Sequence, residues 1–421
     1  MPGMTTITAI TGGMFYGWRV VGGAFMLALF GWGMGFYGPP VFLSVLHETR
    51  GWPLALIATA ITAHFLVGAV AGANLPVLYR RFGASAATKA GALSLALGTL
   101  GWAAASAPWQ LFAAALLSGA GWGAMSAVAV NGIVSPWFVR GRPAALAMAY
   151  NGGSVGGVIF SPLWVAAIGT LGFPIAAAAI AFVMAVVMWT LAATLFSRTP
   201  QQMGLAPDGP GAPSMSVTLP AAKPCPGSSL WRDPRFLTLA AGMALGLFAQ
   251  IGLVAHLFSS LAPALGAQPA GLAMGLATAL AIAGRTVVGW AMAPGADRRL
   301  VASASYAAQM LGSVAFLTAD GTSIPLLLLG IVLFGIGFGN STSLPPLIAQ
   351  VEFVAEDVPR AVALIVAVAQ GTYAFAPAAF GVIRELAPHA TGAAGAAPGL
   401  FLAAALVQAL AIGAFLAGRR R

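Results

Sequence analysis

The chain has 421 residues, of which 59% are hydrophobic and 7% charged. Soluble domains carry about 25% charged residues, so this composition excludes a soluble globular protein. The net charge of +10 does not mark a nucleic-acid binder, because the basic residues sit in short loops between apolar runs.

Residues 1–16 contain neither Lys nor Arg and no cleavage site before the first apolar run, which therefore reads as an uncleaved span. A span needs about 20 mainly apolar residues. Such runs cover 17–45, 54–78, 86–107, 109–134, 143–167 and 174–197, then 236–262, 270–293, 301–319, 325–350, 361–385 and 399–417. Between the two sets, residues 198–235 hold eight prolines with several Gly and Ser, the composition of a flexible linker. The expected fold is an all-α membrane protein of twelve transmembrane helices. Its domains are a six-helix bundle over 1–197, a linker over 198–235 and a second six-helix bundle over 236–421. A single cysteine, Cys225, excludes an internal disulfide framework and any multi-cysteine metal site.

Sixteen of the nineteen basic residues fall on one side of these spans, among them Arg19, Lys89, Arg140, Arg142, Arg198, Lys223, Arg360 and Arg419 to Arg421. By the positive-inside rule, both termini and the linker are expected in the cytoplasm, with the chain in a plasma (inner) membrane of prokaryotic type. The halves repeat at a spacing of about 216 residues: Trp52-Pro53 matches Gln268-Pro269, Gly68 matches Gly284, Pro143 matches Pro359, and Gly119-Ala-Gly-Trp-Gly123 matches Gly335-Ile-Gly-Phe-Gly339. Both halves enter the membrane from the same side, which makes this a parallel repeat. Substrate sites in such repeats lie between the halves near midplane.

From Phe236 to Ala296, Arg285 is the only charged residue. At helical rise it stands about 18 Å along the chain from Asp297. A guanidinium at that depth cannot shed its charge and needs a partner or a watery cavity. The acids are Glu48, Asp208, Asp233, Asp297, Asp320, Glu352, Glu356, Asp357 and Glu385, all in loops or near span ends. With no mid-span acid to pair with, Arg285 is expected to bind the carboxylate of a substrate, in bidentate geometry. The alternative is a structural arginine that snorkels or bonds carbonyl groups. The same inventory argues against a cation exporter.

Twelve spans, a long central loop and the repeat resemble the major facilitator superfamily over nearly the whole chain. Shorter motifs resemble its monocarboxylate-transporter and oxalate/formate-antiporter branch. These are Phe15-Tyr-Gly-Trp-Arg19, Gly51-Trp-Pro53, Trp137-Phe-Val-Arg140 with Arg142, Pro200-Gln-Gln-Met-Gly-Leu-Ala-Pro-Asp-Gly209, and Gly284-Arg285 followed by Gly289. The resemblance implies that Arg285 binds the substrate carboxylate. Two departures stand out. The superfamily's cytoplasmic gate carries an Asp where Leu78-Tyr-Arg-Arg-Phe-Gly83 has Arg80, followed by Arg81. In the second half the corresponding Asp is Ala293, with Asp297 and Arg298 displaced into the loop. Oxalate-type carriers also place a second cation on the eleventh helix, where this chain holds only Arg384, near the outer end. That difference favours one carboxylate over two.

His64 and His256 are the histidines at membrane depth. A histidine titrates near neutral pH, so both are proton-coupling candidates, set against a packing role for each. Tyr37, Tyr150, Asn151 and Tyr373, with His256, are candidates to face substrate; interhelical packing is the plainer reading of each. Asn131, Gln250, Asn340 and Gln370 are weaker candidates of the same kind. Pro39-Pro40, Pro345-Pro346 and Pro377 are helix-bending points. The runs Gly119–Gly123, Gly152–Gly157 and Gly330–Gly339 lack the Lys-Ser/Thr of a nucleotide loop and read as close-approach surfaces.

The function expected is secondary active transport of a small organic anion, most simply a monocarboxylate, by alternating access in a monomer. Proton symport and anion exchange both remain open, and no cofactor or metal is implied. The rivals are a carrier of a neutral or drug-like solute with Arg285 structural, and a membrane-embedded enzyme. The enzyme would need clustered acids, His-based metal ligands or an activated nucleophile at depth, and the spans hold two isolated histidines and no mid-span acid.

Overall fold

A spanning segment must satisfy its own backbone hydrogen bonds, so the apolar runs fold as helices. The computed structural model describes residues 15–139, 141–209, 230–292, 296–354, 357–386 and 397–419. Arg140, Lys223, Cys225, Ala293, Glu356, Arg420 and Arg421 lie outside the described residues. Before the linker come α1 (Tyr16–Gly35), α2 (Gly38–Arg50), α3 (Leu54–Ala104), α4 (Pro108–Ala124), α5 (Ala127–Val134), α6 (Arg142–Leu171) and α7 (Phe173–Thr194). After it come α8 (Pro234–Leu265), α9 (Ala267–Ala291), α10 (Arg298–Ala319), α11 (Ile324–Phe338), α12 (Asn340–Glu352), α13 (Val358–Tyr373), α14 (Ala376–Leu386) and α15 (Pro398–Ala417). No strand occurs among the described residues.

Among the described residues, eleven segments are long and apolar enough to cross a membrane, and the longest of them serves twice. In α3, Gly83 takes φ 80 and ψ 158, values outside the helical region. Before it α3 runs parallel to α4, with Gly68 against Trp122 and Gly72 against Ser126. After it α3 runs antiparallel, with Gly91 against Ala124 and Gly101 against Ala114. The chain therefore turns back at Gly83, where a left-handed φ favours glycine. Twelve crossings result, as the apolar runs predict. Large apolar side chains such as Phe182, Trp189 and Leu410 stay exposed, which a lipid-facing surface accommodates.

Four spans are interrupted instead of continuous. The first breaks at Phe36-Tyr37, ahead of Pro39 and Pro40, which supply no N–H to a continuing helix. The fourth breaks at Met125-Ser126 and the tenth at Gly339, near-equivalent places in the repeat. The eleventh breaks at Ala374-Phe375.

The span ends that carry the linker and the C-terminus gather on one side. There the Asp208 carboxylate accepts from the backbone N–H of Val139 and Gly141, and Arg419 Nε donates to Asp297 Oδ2 at 2.6 Å. On the opposite, far side the two halves of the chain meet. Ala55 N donates to Glu385 Oε1 at 2.7 Å, Ala378 N donates to Thr62 Oγ1 at 3.1 Å, and Gly381 packs on Ala55 and Ala58. The main contacts between halves are α2 with α8, α3 with α14 and α6 with α9. By contrast α5 and α12, which complete spans four and ten on the terminus side, pack chiefly on helices of their own half. The halves are closed on the far side and separate toward the terminus side.

Candidate functional site

Glycine sets the position of Arg285. A Cβ at Gly284 would lie 2.2 Å from Ile336 O, and one at Gly339 would lie 2.0 Å from Ala281 O, so α9 and α11 touch backbone to backbone. That approach brings Arg285 Nε to Gly339 O, at the junction of α11 and α12, with a separation of 3.0 Å. Arg285 is half-buried, and among the described residues this is its one hydrogen bond to protein. No carboxylate there lies within ion-pair distance of it. A guanidinium carries five N–H donors, so its outer nitrogens retain unused capacity for an anion.

Tyr37 stands at the interruption of the first span and is buried. It contacts Thr278 of α9, the helix that carries Arg285. A Cβ on Gly157 would meet Tyr37 Cζ at 2.4 Å and Thr278 Cγ2 at 2.6 Å, so α1, α6 and α9 converge on this point. Tyr37, Thr278, Phe334 and Phe338 border a cavity of about 10 Å³, room for one water at most. The structure thus brings Tyr37 against α9, two helical turns before Arg285.

The other polar candidates have separate surroundings. The Tyr150 hydroxyl donates to Ala127 O at 3.1 Å and accepts from Asn131 Nδ2 at 3.2 Å, which ties α6 to α5. Asn151 is exposed on α6 and makes no side-chain hydrogen bond among the described residues. Tyr373 is half-buried at the end of α13, its ring 6.3 Å from that of Phe65 in the other half. His64 is fully engaged: Nε2 lies 2.9 Å from Gly35 O, and Nδ1 lies 2.8 Å from Ser118 Oγ, which also accepts from Trp102 Nε1. His256 differs. Its Nε2 lies 3.0 Å from Pro377 O and must carry the proton, since a carbonyl oxygen only accepts, while its buried Nδ1 has no partner among the described residues. Gln250 accepts from Ser341 Oγ at 2.7 Å inside the second half, a packing contact.

The model of the family described as Major Facilitator Superfamily matches residues 26–377. The chain belongs to the Major Facilitator Superfamily. Family and fold together make it a multi-pass membrane transporter, not an enzyme. Among solved structures, a mutant of the nucleoside transporter NupG matches with a TM-score of 0.74 at 14% identity, over 95% of this chain and 100% of that one. A bacterial homolog of the human lysosomal transporter Spinster, inward-facing and occupied, matches with a TM-score of 0.69 at 14% identity, over 97% of each chain. At such identities the likeness shows the shared fold. No curated protein matches the chain.

The loops where Major Facilitator carriers place their gate charges differ between the halves here. Arg80 and Arg81 are exposed, with the Arg81 guanidinium 5.2 Å from the centre of the Phe82 ring. Asp297 instead caps α10, its Oδ1 accepting from Arg299 N and Leu300 N at 3.0 Å each. Arg298 Nη1 donates to Leu347 O. Partial burial pushes the Asp297 carboxyl up, but the Leu300 N–H, Arg419 and the Arg299 N–H outweigh it and hold it below the usual carboxylate range.

One feature of this region was not legible in the sequence. Arg299 is buried and bidentate to Glu352, with Nε–Oε1 at 2.6 Å and Nη2–Oε2 at 2.7 Å. It also donates to Arg235 O and Thr238 Oγ1, so it joins α8, α10 and α12 in one network. In the sequence Arg299 counts only as a loop cation and Glu352 only as an acid at a span end. Their pairing depends on α10 and α12 lying side by side.

Proposed function

We propose that this Major Facilitator chain carries a small organic anion, a monocarboxylate, across the plasma (inner) membrane by alternating access. It works as a monomer built from two six-helix bundles, 1–197 and 236–421, with the linker and both termini in the cytoplasm. The observation that carries the reading is Arg285: a half-buried guanidinium on α9, the helix that packs on α6 of the first half, held by one carbonyl and without an acidic partner among the described residues. An unpaired charge at that depth is costly, and a substrate carboxylate relieves the cost. The contacts on the far side and the separation on the terminus side correspond, in this orientation, to an inward-facing state.

Alternating access requires the solute to favour one arrangement of the halves over another. A carboxylate held by Arg285 in the second half and by Tyr37 in the first would draw the two together. Coupling is by proton symport or anion exchange. For symport, the unpartnered Nδ1 of His256 supports that residue as the proton carrier more strongly than His64, whose nitrogens are both engaged. His256 also sits against Pro377 and Gly381, next to the far-side contact.

The competing reading is a carrier of a neutral solute in which the Gly339 bond makes Arg285 structural. Uptake of labelled monocarboxylates, dicarboxylates and neutral compounds into proteoliposomes, with and without a pH gradient, separates the two. The proposal expects monocarboxylates to enter and to compete with one another. Competition by neutral compounds alone would refute it.

A further inference from the structure

Arg285 accounts for a carboxylate but not for the remainder of the solute, and an aromatic series adjoins Tyr37. The Tyr37 and Phe36 rings are 5.0 Å apart, Phe36 and Trp122 6.3 Å, Trp122 and Trp32 4.9 Å, and Phe36 and Phe65 6.0 Å. Phe65 continues the series to Tyr373 across the halves. The series therefore runs from Tyr37, at the break in the first span, to Tyr373 of the eleventh.

Trp122 and Phe65 are buried, and it is the placement of Trp32 and Phe36 that departs from ordinary core packing. On α1, Gly23 abuts Phe196 just beyond α7, Gly31 abuts Met125 at the end of α4, and Gly33 abuts Phe160 of α6. Trp32 follows Gly23 by two and a half helical turns and so occupies the face opposite α7. Phe36 is one turn further along the same face. The same stripe of α1 carries Phe25 and Leu29, against which Gly152 and Gly156 of α6 pack. Phe36 adjoins Tyr37 and, through Phe65, Tyr373 of the second half, and the Trp32 and Phe36 rings are half-buried, whereas Phe42 and Trp164 are fully enclosed.

The indole N–H groups differ in the same way. Trp102 and Trp164 donate to Ser118 Oγ and Gly33 O, as enclosed indoles do. Trp32 and Trp122 have no hydrogen-bond acceptor among the described residues, which leaves donors at the aromatic wall. Glycine again makes the room: a Cβ at Gly153 would come within 3.0 Å of the Trp32 ring, and one at Gly157 would strike Tyr37.

We propose that the solute is an aromatic monocarboxylate, its flat ring laid against Trp32 and Phe36 and its carboxylate on Arg285. This rests on the carboxylate reading of Arg285. A ring gains edge and face contacts with such a wall that a short aliphatic acid of two or three carbons lacks.

The test is thermal stabilisation of the purified full-length protein in detergent by benzoate, cyclohexanecarboxylate, acetate, lactate and benzamide, since a ligand stabilises in proportion to its occupancy. The expected result is stabilisation by benzoate at concentrations at least about tenfold below those needed for acetate or lactate, with cyclohexanecarboxylate between and benzamide inactive. Phe36→Leu, which keeps apolar volume and removes the ring, should narrow the gap between benzoate and acetate; Trp32→Phe, which keeps a ring and removes the indole N–H, should retain it. Acetate or lactate acting as well as benzoate would overturn the aromatic assignment while leaving Arg285 as a carboxylate site. Benzamide acting as well as benzoate would overturn the Arg285 reading itself. No stabilisation by any aromatic carboxylate, in protein that melts cooperatively, would also overturn the proposal.

Discussion

Arg285 and Gly339 are joined across α9 and the α11–α12 junction by one hydrogen bond, Nε to carbonyl oxygen at 3.0 Å. It anchors the guanidinium through its innermost nitrogen and leaves the two terminal nitrogens for the paired contact that a carboxylate accepts. The bond exists because Gly284 lets the helices touch. Gly284→Ala puts a Cβ 2.2 Å from Ile336 O, where only backbone can yield. The expected outcome is a loss of about 1–3 kcal/mol in stability from overpacking, with carboxylate uptake falling more than the amount of folded protein. Uptake per folded molecule equal to that of the unsubstituted protein would break the link between helix approach and site.

Arg299 and Glu352 form a buried pair that staples the second half at the terminus side. Removing one partner strands the other, so Arg299→Ala should cost about 3–5 kcal/mol. Replacing both, as Arg299→Met with Glu352→Leu, should recover much of that loss. Melting temperatures of the single and double variants, measured in one detergent, check this.

Asp297 provides a pH test on the same side of the molecule. Its carboxyl is held below the ordinary value of 3.8, so its contribution to stability is present in full well above that pH and is lost as the pH falls through the depressed range. Asp297→Asn should keep the helix cap and flatten this part of the acid limb of stability. Asp297→Ala should also lose the cap, about 0.5–2 kcal/mol at neutral pH. Melting curves from pH 7 down to the acid limit distinguish the two.

The histidines should separate by function. His256→Gln is expected to abolish stimulation of uptake by a pH gradient while leaving exchange without a gradient. His64→Gln is expected to lower stability through loss of the Gly35 and Ser118 bonds while leaving the response to the gradient. Flux with and without a gradient, normalised to folded protein, checks both expectations.

The crossings were legible in the sequence because a membrane permits one backbone solution for an apolar run of sufficient length. Arg285 was legible because charge is scarce at depth. The interruptions at Tyr37 and Gly339 were only partly legible, since Pro39-Pro40 and Pro345-Pro346 announce a bend but not the residue at which a helix restarts. The aromatic wall was not legible at all. Trp32, Phe36, Phe65 and Trp122 look in sequence like any other apolar residues, and only the angles at which α1, α3 and α4 pack decide which rings meet. The Arg299–Glu352 pair escaped for the same reason, being a contact between helices and not a property of either. Tyr150 was singled out for its hydroxyl, which Ala127 O and Asn131 engage within the first half.

The central claim is that Arg285 holds the substrate carboxylate, and the most direct measurement is carboxylate uptake by Arg285→Ala and Arg285→Lys at matched protein levels in proteoliposomes. Loss of uptake in the alanine variant, with little restored by lysine, is the predicted result, because an ammonium cannot reproduce the anchored, two-pronged guanidinium contact. Normal carboxylate uptake by Arg285→Ala would contradict it.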